Sequence, residues 1–176
     1  MSDYVLLLDA DMILQNEGFN KDELKSAIGF CLVQKSGNLQ YHNLRLVKNN
    51  GEFEYKGVTH EYLSTPKNSV IGILNSLYIV DIGDGGSKAD KFERDIQLLT
   101  QGIKDEPNNS RYYFYLANSY HDSNKPDEAI EIYKKRIEMG GWEEEVWYSY
   151  YRIGLCYERK GNMVEAINAW LSAYNV

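Results

Sequence analysis

Cysteine is scarce in this chain. Cys31 and Cys156 are the only two in 176 residues and lie far apart, so no disulfide framework exists and a reducing, cytoplasmic setting is the expectation. Each reads as a buried small hydrophobe. Basic charge is short as well: 19 Lys and Arg against 26 Asp and Glu leave a formal net charge of −7, which argues against a nucleic-acid binder. No apolar run approaches the roughly 20 residues of a membrane span, the start lacks the basic residues of a secretory signal, and no Gly-x4-Gly-Lys-Ser/Thr phosphate loop occurs. The 43% hydrophobic and 26% charged content is that of a soluble globular protein with one ordinary domain or two small ones.

Near the N-terminus, the apolar run Tyr4 to Leu8 meets Asp9-Ala10-Asp11. Such a run predicts a strand buried on both faces of a parallel sheet, with the aspartates where it emerges at its carboxyl end. Alternation along an extended chain then turns both carboxylates to one side, within reach of one hard cation. A parallel strand needs neighbours joined by crossovers of about a dozen residues, so further chain upstream is expected. Taken alone, an apolar strand ending in Asp also suits nucleotide triphosphatases, phosphatases and receiver domains.

Two halves follow. Up to Gly83, short runs rich in Val, Ile, Tyr and Phe are broken by Ser36-Gly37-Asn38, Asn49-Asn50-Gly51 and Pro66-Lys67-Asn68-Ser69, which predicts α/β to α+β structure with a hairpin turn at Asn50-Gly51 and little helix beyond Lys21 to Ser26. After Gly83-Asp84-Gly85-Gly86 the pattern turns helical, starting from a cap at Ser87, with Phe92, Ile96, Leu99 and Ile103 on one stripe. The expected division is 1–83 and 87–176.

The second half repeats itself. Leu116, Ala117, Tyr120, Ala129 and Tyr133 recur 37 residues later (157 − 120 = 37) as Ile153, Gly154, Tyr157, Ala166 and Trp170. Small and aromatic residues at these offsets resemble the tetratricopeptide repeat of about 34 residues. Asn124 and Gly161 fall at the turns within helix pairs, Pro126 in a first helical turn, and Gly140-Gly141 in the linker that absorbs the excess. At least three repeats normally bury a continuous core, so support from the first half or from chain beyond Val176 is expected.

His60-Glu61 ends an alternating run that follows Arg45 and contains Phe53, Tyr55 and Gly57. Two carboxylates and an imidazole form a ligand set for Mn²⁺. The succession DADM, then L-R with Y-x-G-V-x-H-E, then G-D-G-G-S-K-x-D-K, then R-Y-Y-F-Y-L-A-N-S-Y, then M-G-G-W-x-E-E-V-W-Y resembles family 2 glycosyltransferases of the GT-A fold with C-terminal tetratricopeptide repeats. The resemblance implies an α/β partial GT-A domain followed by an all-α repeat solenoid. It further implies Mn²⁺ or Mg²⁺ held by Asp9, Asp11 and His60. Asp11 is then the principal ligand, with Asp9 also a ribose or metal-water partner. A nucleotide-sugar donor and a protein or glycan acceptor follow. Glu61 is the nearest candidate base, with Asp22 and Glu23 behind it. The strand-helix-strand segment that grips the nucleotide in that family has no counterpart here, and Phe53 stands where Trp is frequent.

Tyr112, Phe114, Tyr115, Trp147, Tyr148 and Tyr151 exceed what a helical core needs, and some of them suit a peptide in the repeat groove. His121 reads as an exposed helical histidine, and Glu143-Glu144-Glu145 as charge offsetting a helix dipole. The rival to an enzyme is a repeat-based interaction module carrying a non-catalytic glycosyltransferase remnant.

Overall fold

The computed structural model describes residues 3–83 and 91–176. The expected cap at Ser87 and the punctuation from Asp84 to Gly86 lie outside the described residues. Contacts divide the chain into a sheet unit, Met1–Lys56 with Tyr62–Gly86, and a helical unit, Gly57–Glu61 with Ser87–Val176.

The sheet unit holds β1 (Tyr4–Leu6), β2 (Met12–Asn16), β3 (Gly29–Ser36), β4 (Leu39–Lys48), β5 (Glu54–Lys56), β6 (Tyr62–Ser64) and β7 (Ile71–Asp81). Five strands form one sheet in the order β1-β4-β3-β7-β2, while β5 and β6 form a separate two-stranded ribbon. Among the described residues only β3 and β7 run parallel; β1–β4, β3–β4 and β2–β7 are antiparallel.

The opening strand therefore departs from the sequence expectation. It is short, it lies at a sheet edge, and its partner β4 is antiparallel. Tyr4 and Leu6 pack against the core of Phe30, Leu32, Leu46, Leu74, Leu77 and Ile79, whereas Val5 and Leu8 are exposed. An edge strand with one covered face needs only alternate apolar residues, and the Tyr4 hydroxyl fixes the register by donating to Leu24 O at 2.8 Å and Ala27 O at 2.6 Å.

Local chemistry explains the turns. Gly37-Asn38 closes the β3–β4 hairpin, with Ser36 opposite Leu39 and Gly37 at φ 56°. Asn50-Gly51 does not close a hairpin: β4 and β5 do not pair, although Gly51 takes φ 76°. Lys21–Ser26 forms a 3-10 helix behind an Asn20/Glu23 capping box, in which Asn20 Oδ1 accepts from Asp22 N and Glu23 Oε1 accepts from Asn20 N.

Among the described residues the helical unit contains α1 (Lys91–Asp105), α2 (Ser110–Asp122), α3 (Pro126–Glu138), α4 (Glu143–Arg159) and α5 (Met163–Tyr174). Burial repeats with the sequence: Leu116 and Ile153 are each 4% exposed, and Ala129 and Ala166 are each 0%. Asn124 (φ 61°) and Gly161 (φ 76°) occupy the left-handed turns inside the two pairs, and Pro126 opens α3. A second core of Ile96, Leu99, Tyr112 and Leu116 joins α1 to α2, and Val58 packs against it. Among the described residues no helix is long and apolar enough to cross a membrane.

The two pairs differ at one contact. Ala117 has Tyr133 as the aromatic partner in the repeat, but Gly154 has the larger Trp170, whose Nε1 donates to Tyr151 O at 3.2 Å. A methyl group on Gly154 would overlap the indole ring. Helix propensity favours Gly→Ala by about 1 kcal/mol, but forcing the indole out of its place costs about 1–3 kcal/mol and breaks its hydrogen bond. Gly154→Ala is therefore expected to destabilise the helical unit by about 1–2 kcal/mol in denaturant titration, and Gly154→Ala/Trp170→Tyr, which copies the first pair, to recover most of the loss.

Candidate functional site

Asp9 and Asp11 lie in the connection from β1 to β2 rather than on an extended strand. Met12 N donates to Asp9 O at 3.1 Å, which closes a turn, and Ile82 N donates to Asp11 O at 3.0 Å, which joins that turn to the end of β7. The alternation argument for the two side chains thus fails here, because a turn does not follow strand periodicity.

A buried polar network stands behind the turn. Arg45 on β4 donates through Nη2 to Asp9 Oδ2 at 3.3 Å, and through Nη2 and Nε to Gln34 Oε1 at 3.1 and 3.3 Å. Asn43 also donates to Gln34 Oε1, and Gln34 Nε2 donates to Asp81 Oδ2 at 3.3 Å. Gln34 is 2% exposed and Arg45 9%. Neighbouring strands β4, β3 and β7 thereby carry one chain of hydrogen bonds that joins two carboxylates, Asp9 and Asp81. Nothing in the local sequence singles out Gln34 or Asp81; their partners come from strands distant in the chain.

His60 and Glu61 were expected in the first half, yet contacts group residues 57–61 with the helices. The His60 ring stacks on Tyr115 with centroids 4.1 Å apart and planes 8° from parallel, and its backbone sits at φ 51°. Arg111 Nη2 donates to His60 O at 3.4 Å, and Thr59 donates to Asp95 Oδ1 at 3.3 Å. Partial desolvation by these neighbours lowers the His60 pKa; Lys91 and Arg111 act in the same sense, while Asp95 and Glu61 oppose. Glu61 is exposed. Among the described residues no three His, Cys, Asp or Glu side chains are grouped to hold a metal; Asp9 and Asp11 belong to the sheet unit and His60 to the helical unit.

The reserve candidates have structural partners. Asp22 pairs with Lys25 at 2.7 Å, and Glu23 completes the capping box and accepts from Ser76 at 2.9 Å.

In the helical unit an aromatic strip runs through His60, Tyr115, Phe114, Tyr148, Tyr151 and Trp147, with neighbouring centroids 4.1–6.2 Å apart. Trp147 and Tyr151 are 46% and 39% exposed and lie 4° from parallel, and Arg111 and Arg152 cover the faces of Tyr115 and Tyr148. Tyr112 instead joins the core, 5% exposed.

His121, expected as an exposed helical histidine, is buried, and Glu145, in the acidic first turn of α4 as the sequence predicts, is buried too. His121 is 2% exposed, with Nδ1 3.0 Å from Asp122 Oδ1, an oxygen that also accepts from Arg152. Desolvation lowers its pKa, Arg152 and Arg159 add to the effect, and Asp122 opposes it. Glu145 is 5% exposed and pairs with the fully buried Arg136 at 2.9 Å, while Glu143 and Glu144 stay exposed. The cysteines also differ from each other: Cys156 is buried and Cys31 half-buried, and both are free.

The helical unit carries tetratricopeptide repeats, since residues 98–131 and 148–173 each match a model of that repeat. The chain is 25% identical over 150 residues to the SPbeta prophage-derived glycosyltransferase SunS of Bacillus subtilis (strain 168), and equally to glycosyltransferase SunS of Bacillus phage SPbeta. Those alignments cover 77% of this chain and 36% of each relative, so the chain spans about a third of their length. Among solved structures, a crystal structure of MamA is 29% identical with a TM-score of 0.45, covering 49% of this chain and 48% of that one. The second tetratricopeptide domain of Spaghetti (RPAP3), bound to an HSP90 peptide, is 24% identical with a TM-score of 0.43, covering 49% and 78%.

Proposed function

We propose that this chain forms part of a metal-dependent glycosyltransferase of GT-A type. In this reading the Asp9–Asp11 turn serves a nucleotide-sugar donor and the repeats hold a protein or glycan acceptor. The observation that carries it is the extent of the likeness to SunS: 77% of the chain is more than either unit holds by itself, so the likeness is not confined to the repeats.

The donor chemistry fits a hard cation. Mg²⁺ and similar ions are commonly held by one or two carboxylates, with waters and substrate phosphates completing the shell, rather than by an all-protein cage. Asp9 and Asp11 offer such a pair, and His60 is dispensable on this view. Mn²⁺ or Mg²⁺ would supply Lewis-acid stabilisation of the departing diphosphate. Glu61 is the proposed acceptor-side base.

A specific observation also supports the interaction-module reading: the strip ending in exposed Trp147 and Tyr151 is the kind of aromatic surface that favours peptide contact. The two readings part on one titration. Uridine diphosphate added to this chain with Mg²⁺ should shift the amide resonances of residues 9–12, and a chelator should reverse the shift. Shifts that persist with chelator would remove the metal from the reading, and none at millimolar ligand would leave the interaction module.

A further inference from the structure

We infer that His121 is a proton-operated latch between α2 and α4: with a neutral ring it closes the joint between the two helix pairs, and a proton taken up by the ring opens it.

His121 lies in the last turn of α2 and is 2% exposed. Its Nδ1 is 3.0 Å from Asp122 Oδ1, and because a carboxylate only accepts, Nδ1 carries the proton of the neutral ring. Nε2 is buried and has no hydrogen-bond partner among the described residues. Polar bonds tie the two helices together around this ring. From α4, Arg152 Nη2 donates to Asp122 Oδ1 at 3.0 Å and Arg159 Nη1 donates to His121 O at 3.1 Å. Arg152 Nε is likewise buried without a partner among the described residues.

A second proton fits this corner badly. It would sit on Nε2 as a buried cationic donor with nothing to bond, which carries the full desolvation penalty of the group. It would also stand beside two guanidiniums already committed to α2. Asp122 and the carboxyl end of α2 favour a cation, in the opposite sense, but Asp122 Oδ1 is already shared with Arg152. On the flanking helices Glu93 of α1 pairs with Lys125 and Asp127 of α3 with Lys160. Tyr133 of α3 and Cys156 of α4 stay uncharged, because burial raises both pKa values. Desolvation, with Arg152 and Arg159 acting in the same sense, accordingly lowers the pKa of the ring. A lowered pKa in the folded chain means that the neutral ring's contribution is whole above roughly pH 6.5, the ordinary histidine value, and is lost as the pH falls below it. The aromatic strip crosses the same joint, from Phe114 of α2 to Tyr148 of α4, so its continuity depends on the latch.

The experiment is urea unfolding of the whole chain at a series of pH values from about 7.5 down to about 5. Tryptophan fluorescence is the readout, since Trp142, Trp147 and Trp170 all belong to the helical unit. The midpoint is expected to fall toward acid pH. His121→Gln, which keeps a donor for Asp122 but cannot take up a proton, is expected to remove about half of that fall or more. Nuclear magnetic resonance of the unsubstituted chain keeps the test open should that variant fail to fold: the His121 ring should titrate below its ordinary value, with the amides of residues 119–125 and 152–160 shifting in step. A fall of the same size in folded His121→Gln, or a ring that titrates at or above the ordinary value, would overturn the latch.

Discussion

Asp11→Ala is expected to lower metal-dependent donor consumption by about 100-fold or more in any longer protein that joins this chain to a nucleotide-binding segment. That factor corresponds to about 2.7 kcal/mol of lost transition-state stabilisation. On the proposed reading the cation offsets charge on the departing diphosphate, and losing its principal carboxylate loses an interaction that strengthens as that charge develops. The fold should survive. Asp11 is half-buried on a connection, and the bond from Ile82 N to Asp11 O, which joins that connection to the end of β7, is a backbone bond that the substitution leaves in place. The assay is consumption of the sugar nucleotide with Mn²⁺, with and without chelator, beside a thermal unfolding curve. Activity that survives the substitution would remove the turn from the chemistry. This chain by itself is expected to show no useful turnover, because the remote binding energy that orients a nucleotide-sugar is not supplied by the Asp9–Asp11 turn.

The largest stability effect is expected at Arg136. Its side chain is fully buried; Nε donates to Glu145 Oε2 at 2.9 Å, Nη1 to Gly140 O at 2.7 Å and Nη2 to Trp142 O at 3.4 Å. One guanidinium thus fastens the linker between the two helix pairs and the first turn of α4. Gly140 and Gly141, at φ 63° and 88°, let the linker bend back so that its carbonyls reach the guanidinium. Arg136→Met would leave the Glu145 carboxylate buried without its cation, which typically costs about 3–5 kcal/mol. The net stability of a domain is only about 5–15 kcal/mol, so much of it would be gone. Denaturant titration monitored by tryptophan fluorescence measures the loss. Arg136→Met/Glu145→Leu should recover a large share, because replacing a buried pair by apolar groups removes both desolvation penalties. A single variant that loses under 1 kcal/mol would show that the pair carries little of the linker's stability.

The helical half was legible because its signals are local. Small and aromatic residues at a constant offset, Asn124 and Gly161 at the turns and Pro126 at a helix start each act within a few residues, and each takes the backbone geometry its chemistry favours. Turn residues in the first half were legible for the same reason at Gly37 and Asn68, the latter at φ 63°. At Asn50-Gly51 the residue chemistry was right and the pairing was not, since which strands flank a turn is a long-range matter.

What sequence determined by itself about this protein is its division into a strand-rich and a helix-rich half, the helix pairs and their turns. Tertiary structure alone decided strand neighbours and the fate of charged groups. Tyr4 to Leu8 looks like a strand buried on both faces, but pairing with β4 made it an edge. Glu145 reads as dipole-offsetting charge at a helix start, but Arg136 from the preceding helix pairs with it inside. Arg45 and Gln34 stand 11 residues apart, and Gln34 and Asp81 47 apart. The reason is physical. A charge or an amide goes inside only where partners from other elements meet its hydrogen bonds, and those partners are brought there by the fold rather than by neighbouring residues.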